Sequence, residues 1–326
     1  MSPILDVRNL GVTVGQGQTP VTIVDDVSFV INRGEVLGLA GESGSGKTIT
    51  ALALMGILPP HTQTSGTALF DGQDLLSLRG RSLRKVQGRR VAMVFQDPTS
   101  ALHPMLTIGR QLTEHMRYHL GIGRREARER AIELLDQVRI PGPKAALGSY
   151  PHQFSGGMRQ RIQIAIALAC EPDLLIADEP TTALDVTIQA GILRLLDGLC
   201  RDRGLAVLLI THDLGVLSAI AHRVTVMYSG RVIESCATGE LMTASRHPYT
   251  RALLSAVPHP EAGEASLVPI AGTPPAPASR PAGCAFSPRC KFAEETCTGT
   301  VPPLALVGQD HSSACLVDPF LIGDRR

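Results

Sequence analysis

The chain has 326 residues, 31 Lys and Arg against 30 Asp and Glu, and only 3% aromatic residues. In that near-neutral balance the overall basic field of a dedicated nucleic-acid binder is missing, a local basic patch staying open, and the length allows one full-sized domain with an accessory region. The opening "MSPILDVRNL" lacks a basic stretch followed by an apolar run, and no run of about 18 apolar residues occurs, so a soluble cytosolic chain is expected.

Residues 1–35 alternate apolar and polar positions ("ILDVRNLGVTV", "VTIVDDVSFVI") and predict two or three antiparallel strands. "EVLGLAGESGSGKTITALALMGIL" predicts a short buried strand, a glycine loop and a helix of Ala and Leu. "SGTALFDGQDLL" predicts a strand with a turn at Asp71–Gly72, and "RRVAMVFQD" a further strand with a polar tip. From about Pro98 to Arg161 the period is helical; "REARERAIELLDQVRI" places Ala127, Ala131, Leu134, Leu135 and Val138 on one face. "DLLIADE" and "AVLLITHD" are short continuous apolar runs, expected as buried parallel strands with polar tips, joined by the helix "VTIQAGILRLLDGLCRD". Beyond about residue 240 the texture turns Pro-, Ala- and Gly-rich, and "PIAGTPPAPASRPAG" predicts a linker or extended arm. The fold class is α/β.

"GESGSGKT" matches a phosphate loop in its strand-to-helix context. Gly41, Ser43, Gly44, Ser45 and Gly46 let backbone N–H groups close on phosphate oxygens, Lys47 reaches the β and γ phosphates, and the Thr48 hydroxyl ligates Mg²⁺. In "LLIADEP", Asp178 stands at a strand tip suited to Mg²⁺, and the adjacent Glu179 can orient or deprotonate an attacking water. "FSGGMRQR" offers Ser155, Gly156 and Gly157 as a second small-residue loop before a helix, one more than a single nucleotide requires.

That loop followed by "LLIADE" resembles the signature segment of the ATP-binding cassette (ABC) ATPases, and the resemblance extends through most of the chain. It implies that the signature loop of one subunit closes over ATP held by another. It further implies that Gln96 in "VAMVFQ" contacts Mg²⁺ and senses the γ-phosphate, that Ala183, Leu184 and Asp185 form the segment crossing the dimer interface, and that His212 in "LLITHD" reaches the γ-phosphate. Phe154 and Met158 depart from the commonest signature, which has Leu and Gln there. No aromatic residue lies between Val12 and Val27, where the family places a ring against adenine, so Val21 or Ile23 is expected to carry the base.

Within the family, "VFQDPTSALHPMLTIG", "SGGMRQRIQIAIALACEPDLLIADEPTTALDVTIQ" and "HPYTRALLSAVP" resemble the ATPase subunits of dipeptide and oligopeptide importers, a branch that includes nickel systems. The resemblance implies a nucleotide-binding domain over 1–240, with an antiparallel β subdomain and a helical subdomain over about 97–162, and a C-terminal extension over 241–326. It also implies a heterodimer with a second related ATPase, two membrane permease subunits, an extracytoplasmic peptide-binding protein, no nucleic acid, and a place on the cytoplasmic face of the inner membrane. A cassette ATPase of DNA repair or translation would show a long coiled-coil insert or two fused cassettes, and neither occurs. A redox sensor working through the cysteine tail is the remaining class.

Cys284, Cys290, Cys297 and Cys315 are spaced C-x5-C-x6-C-x17-C, and the branch often carries such cysteines. Four thiolates on a loop-rich segment suit a [4Fe–4S] cluster, with Arg289 and Lys291 offsetting its charge. Zinc through these cysteines, with His311 as a mixed ligand, and unmetallated thiols are the alternatives. Cys170, Cys200 and Cys236 are expected as packing residues.

Overall fold

The computed structural model describes residues 3–15, 20–181, 184–256 and 269–320. These residues form two compact units, one built from Met1–Ile4, Ile31–Val36 and Ser77–Ile210, the other from Leu5–Val30, Leu37–Leu76 and Thr211–Arg326. The phosphate loop and the C-terminal extension therefore share the second unit, although some two hundred positions separate them in sequence.

The second unit begins with an antiparallel sheet. Strand β1 (Leu5–Val14) buries Leu5, Val7, Leu10 and Val12, and its alternation slips by one residue at a bulge between Arg8 and Gly11. Strand β2 (Val21–Ile31) slips likewise around Asp26, whose carboxylate accepts from the Asn9 side chain at 2.7 Å. Strand β3 (Val36–Ala40) is buried throughout and runs into helix α1 (Lys47–Met55), which packs Ala51, Leu54 and Met55 inward. Strands β4 (Thr62–Phe70) and β5 (Gln73–Asp74) complete the antiparallel sheet in the order β2-β1-β4-β5. The Asp71–Gly72 turn joining them has positive φ at both residues, 49° and 80°, as a tight two-residue hairpin requires.

In the first unit, helix α2 (Gly80–Val86) leads to β6 (Val91–Val94), and a helical stretch follows: α3 (Pro98–Ala101), α4 (Ile108–Leu120), α5 (Arg124–Gln137), α6 (Pro143–Ala146) and α7 (Gly156–Leu168). Helix α4 buries Ile108, Leu112 and Met116 and α5 buries Ala127, Ala131 and Leu135, a spacing of four that lines one face of each. Leu134, expected on the buried face of α5, is only half-buried, because a 3.6-residue period carries it to the stripe's edge. Strand β7 (Leu174–Asp178), helix α8 (Val186–Arg203) and strand β8 (Ala206–Thr211) finish the unit, with β6, β7 and β8 parallel and in that order. Both β7 and β8 are fully buried, which accounts for their unbroken apolar runs.

The chain then returns to the second unit through α9 (Leu214–Ile220), β9 (Arg223–Tyr228) and β10 (Arg231–Ala237). Strand β9 runs parallel to β3 and antiparallel to β10. Helices α10 (Thr238–Ala244) and α11 (Pro248–Ser255) follow, then an extended arm over residues 269–283 with one 3₁₀ turn at Pro277–Ser279. After the short helix α12 (Thr296–Gly299), the hairpin β11 (Ala305–Gly308) and β12 (His311–Ser313) adds to the free edge of β10. The extension is thus stitched to the body by main-chain hydrogen bonds, not tethered by a linker alone.

Cys170, Cys200 and Cys236 are buried, as expected of packing residues, and burial pushes their thiols up to about 11, about 12 and about 12 from an ordinary value near 9. A raised thiol keeps its proton in the folded state, so its contribution to stability is intact below pH about 9 and is lost as pH climbs toward about 12. At pH 8 these three thiols should react with iodoacetamide at least about 100-fold more slowly than in the denatured chain. Mass spectrometry of the labelled protein checks this, and native-state labelling at Cys200 would contradict it.

Candidate functional site

The phosphate loop is shaped by two glycines. Gly41 has φ of 146°, and a Cβ there would stand 2.3 Å from the Met227 carbonyl oxygen; Gly46, at φ 102°, turns the chain into α1. No side chain caps α1, so its first amides remain for an anion. Lys47 is buried, and its ammonium donates to the Gly41 and Glu42 carbonyls at 2.6 and 2.9 Å and to the Ser45 hydroxyl at 3.3 Å. Ser43, Gly44 and Thr48 are exposed. The loop is therefore wrapped around its own lysine, with an open outer rim. Val21 and Ile23, on β2 of the same unit, are half-buried.

In the first unit, Asp178 ends β7 with 1% of its surface exposed. Glu179 follows in a left-handed conformation, φ 51°, its amide donating to the Ile210 carbonyl at 2.9 Å and its carbonyl accepting from the buried Gln160 amide at 3.4 Å. Such a conformation costs a non-glycine residue on the order of 1 kcal/mol, and these two bonds hold it. Gln160 escapes a sequence reading because a Gln in a helix normally reads as solvated. Gln96 is exposed just beyond β6, and Asp97 beside it caps α3 by accepting from the Thr99 and Ser100 amides. Those bonds hold the Asp97 carboxyl below the usual carboxylate range.

Ser155 caps α7, its hydroxyl accepting from the Met158 amide at 3.3 Å, and Ser155 and Gly156 are exposed at that helix start. Asp185 is exposed and caps α8 by accepting from the Ile188 amide at 2.9 Å; Ala183, expected beside it, lies outside the described residues. In the second unit His212 is exposed between β8 and α9.

The four tail cysteines converge. Cys284, Cys290, Cys297 and Cys315 all line one cavity of about 20 Å³, and the Cys284 amide donates to the Cys297 carbonyl at 2.8 Å. Burial pushes the Cys284, Cys290 and Cys315 thiols up, and neighbouring cysteines add to the shift. Among the described residues no group of three or more His, Cys, Asp or Glu stands in a metal-ligating arrangement. The donor set suits a thiophilic metal by its chemistry, while the space as it stands admits roughly one water-sized body. His311 does not belong to this set, contrary to the mixed-ligand expectation. Its Nε2 and Nδ1 atoms pair with Glu234 at 2.8 Å and Glu240 at 2.9 Å.

The segment "HPY" also has a structural meaning that patterning alone misses. His247 Nδ1 accepts from the Tyr249 amide and caps α11, Pro248 occupies the first helical position, and Tyr249 is wholly buried. Burial holds His247 down at about 3, so it stays neutral and can act as this acceptor.

Comparison with known proteins agrees with this layout. Residues 24–182 match the ABC transporter family and residues 233–297 match the oligopeptide/dipeptide transporter C-terminal region. The oligopeptide transport ATP-binding protein OppD of Haemophilus influenzae is 47% identical over 297 residues, covering 91% of this chain and 92% of that protein. A protein of Brucella melitensis named for peptide import ATP binding is 46% identical, covering 96% and 97%. Among solved structures, the dimeric post-hydrolysis state of the ATP-binding cassette MJ0796 bound to ADP and Pi has a TM-score of 0.66 at 28% identity, covering 72% of this chain and 98% of that one. The subunit cbiO1 of Clostridium perfringens, part of the ABC transporter complex cbiONQ, has a TM-score of 0.63 at 27% identity, covering 75% and 92%. The chain belongs to the ABC transporter family, as an ATPase of the cassette fold carrying the C-terminal region of the oligopeptide and dipeptide branch.

Proposed function

We propose that this chain is the ATP-binding and ATP-hydrolysing subunit of an importer that moves dipeptides and oligopeptides inward through separate permease subunits. The observation that carries the reading is the joint presence, in one chain, of a phosphate loop closed on its lysine and similarity to peptide import ATPases that runs through the extension. Import of nickel or another small solute by the same machinery is the second reading.

On nucleotide entry, the Lys47 ammonium exchanges its Gly41 and Glu42 carbonyl partners for β- and γ-phosphate oxygens, joined by loop amides and the start of α1. Thr48, Asp178 and Gln96 are the residues that would hold Mg²⁺, which neutralises charge on the phosphates. Glu179 takes a proton from water as its oxygen attacks the γ-phosphorus and the bond to the ADP oxygen breaks, with His212 contacting the γ-phosphate. The Ser-Gly-Gly turn of a second ATPase subunit closes over the same triphosphate, and hydrolysis releases it.

The reading assigns residues 1–240 to the nucleotide-binding domain, about 97–162 to its helical subdomain and 241–326 to the extension. The partner is a related but distinct ATPase. Met105, 77% exposed, supports a permease-docking surface over Gln96–Met105. No helix among the described residues is long and apolar enough to cross a membrane, which fits a subunit held on the cytoplasmic face by permeases and fed by an extracytoplasmic binding protein.

In this reading Cys284, Cys290, Cys297 and Cys315 would hold a [4Fe–4S] cluster, which requires the four thiols to move apart from their present cavity of about 20 Å³, with zinc second. Loss of His311 to Glu234 and Glu240 favours an all-cysteine centre over a mixed one. Such a centre would cross-link a segment rich in Pro. Anaerobic purification from cells carrying the neighbouring transport subunits tests both points. Two membrane proteins and a second ATPase should copurify, with about four iron and four sulfide per chain. About one zinc and no iron selects the second centre. A lone chain without metal overturns both.

A further inference from the structure

Glu42 is the second residue of the phosphate loop, and the extension grips it at two places. The Glu42 amide donates to the Tyr249 hydroxyl at 2.8 Å. Its carboxylate accepts from both terminal nitrogens of Arg289, at 2.7 and 3.0 Å, as a bidentate fork. Arg289 is committed to this place. Its Nε donates to the Ala271 carbonyl at 2.9 Å, its Nη1 also to the Tyr228 hydroxyl at 3.2 Å, and its Nη2 also to the Ile270 carbonyl at 3.4 Å. Five N–H groups thus meet five acceptors on a side chain that is 5% exposed. The bonds to Glu42 hold its guanidinium above the ordinary arginine range.

The element carrying Arg289 is itself anchored. It closes a 3₁₀ turn, Ser287–Arg289, bracketed by Cys284 and Cys290. Phe286, just before it, packs against Tyr228 and Tyr249 with ring centroids 5.4 Å apart in each case. A chain with so few aromatic residues has gathered three of them behind the phosphate loop. Farther along, Arg280 of the extended arm donates to the Ile23 carbonyl at 2.7 Å and to the Ser229 hydroxyl at 3.2 Å, so the arm also fastens β2.

We propose that Arg289, with Tyr249, is a positioning residue for nucleotide binding: the extension neutralises and orients Glu42, and thereby sets the affinity of the phosphate loop for MgATP. The physical case rests on charge. A carboxylate in an anion-binding loop repels a triphosphate unless a fixed cation cancels it, and the Coulomb term is large at partly buried sites. Glu42 is 27% exposed, so solvent screening alone does not cancel it. The same residue's carbonyl holds the Lys47 ammonium at 2.9 Å, so displacing Glu42 also displaces the lysine's resting partner.

The test uses MgATP, with binding measured by calorimetry on the purified full-length protein and hydrolysis by phosphate release from its assembled pair with the second ATPase. Arg289→Gln should weaken MgATP binding about tenfold and raise KM by the same factor, with kcat at saturation within about twofold. Adding Glu42→Gln should restore affinity to within about threefold of the unaltered protein, because the repelling charge is gone. A merely structural arginine would not be rescued by removing its partner's charge. Unchanged affinity in Arg289→Gln, or no recovery in the double variant, overturns the proposal. Should Arg289→Gln fail to fold, Arg289→Lys keeps the charge but loses the fork and should bind within about threefold of the unaltered protein, and a loss of about tenfold there, with the cation kept, overturns the case from charge. Failure of ATP binding in every form, including the unaltered chain, would strike the ATPase reading itself and not this coupling.

Discussion

Glu179→Gln should leave MgATP affinity within about threefold and reduce hydrolysis by about 100-fold or more, the size expected for loss of a positioned general base. The amide has nearly the shape of the carboxyl group but cannot accept the water's proton. Its backbone situation favours a clean result. The residue's left-handed φ of 51° is held by main-chain bonds, the Glu179 amide to the Ile210 carbonyl and the Gln160 side chain to the Glu179 carbonyl, and neither involves the side chain being changed. Calorimetry with MgATP and single-turnover phosphate release, run on the same preparation, separate binding from chemistry. Unaltered turnover would remove Glu179 from the reaction. A parallel loss of affinity would instead make it a binding residue.

Gln160 illustrates what sequence patterning reads and what it does not. The start of α7 was legible as a small-residue loop before a helix; that Ser155 caps it, its hydroxyl accepting from the Met158 amide, is what the structure adds. Gln160, one turn on, is buried to support Glu179, a tertiary role with no local signature. The strand, loop and helix around Lys47 were legible for the same local reasons: a continuous apolar run, glycines at positions of positive φ, then helix formers. The Asp71–Gly72 turn followed from turn chemistry alone.

What escaped were contacts between distant segments. Glu42 and Arg289 lie 247 positions apart, and no periodicity connects them. Arg289 read as a charge placed to offset a metal centre, whereas its donors are taken up by Glu42, Tyr228 and two main-chain carbonyls. His311 read as a spare ligand for the cysteines for the same reason, since strand pairing of β12 with β10 is what brings it to Glu234. Leu134 falls at the edge of the buried stripe and not within it, an error of angle and not of element type. Local rules describe the elements well; the coupling of the extension to the phosphate loop is a property of the assembled unit.

Gly156→Asp makes the sharpest demand on the sandwich reading, because helix physics and function pull it in opposite directions. At Gly156 a Cβ would meet no atom within 4 Å, and the residue lies in the first turn of α7, so Asp there is sterically free. A carboxylate at a helix start gains about 0.3–1 kcal/mol from the dipole, and replacing glycine in a helix adds a comparable amount, so the thermal midpoint should hold or rise. The phosphate loop of the same chain should bind MgATP unchanged. If the turn faces the triphosphate held by a second subunit, however, the new charge stands against the γ-phosphate. Like charges about 4 Å apart at an effective dielectric constant near 20 repel by about 4 kcal/mol, enough to cut hydrolysis by the assembled pair at least about 100-fold. Equal turnover by a pair in which both subunits carry the substitution would mean that this turn never meets nucleotide. A fall in each isolated chain's own MgATP affinity would place the turn at the wrong triphosphate.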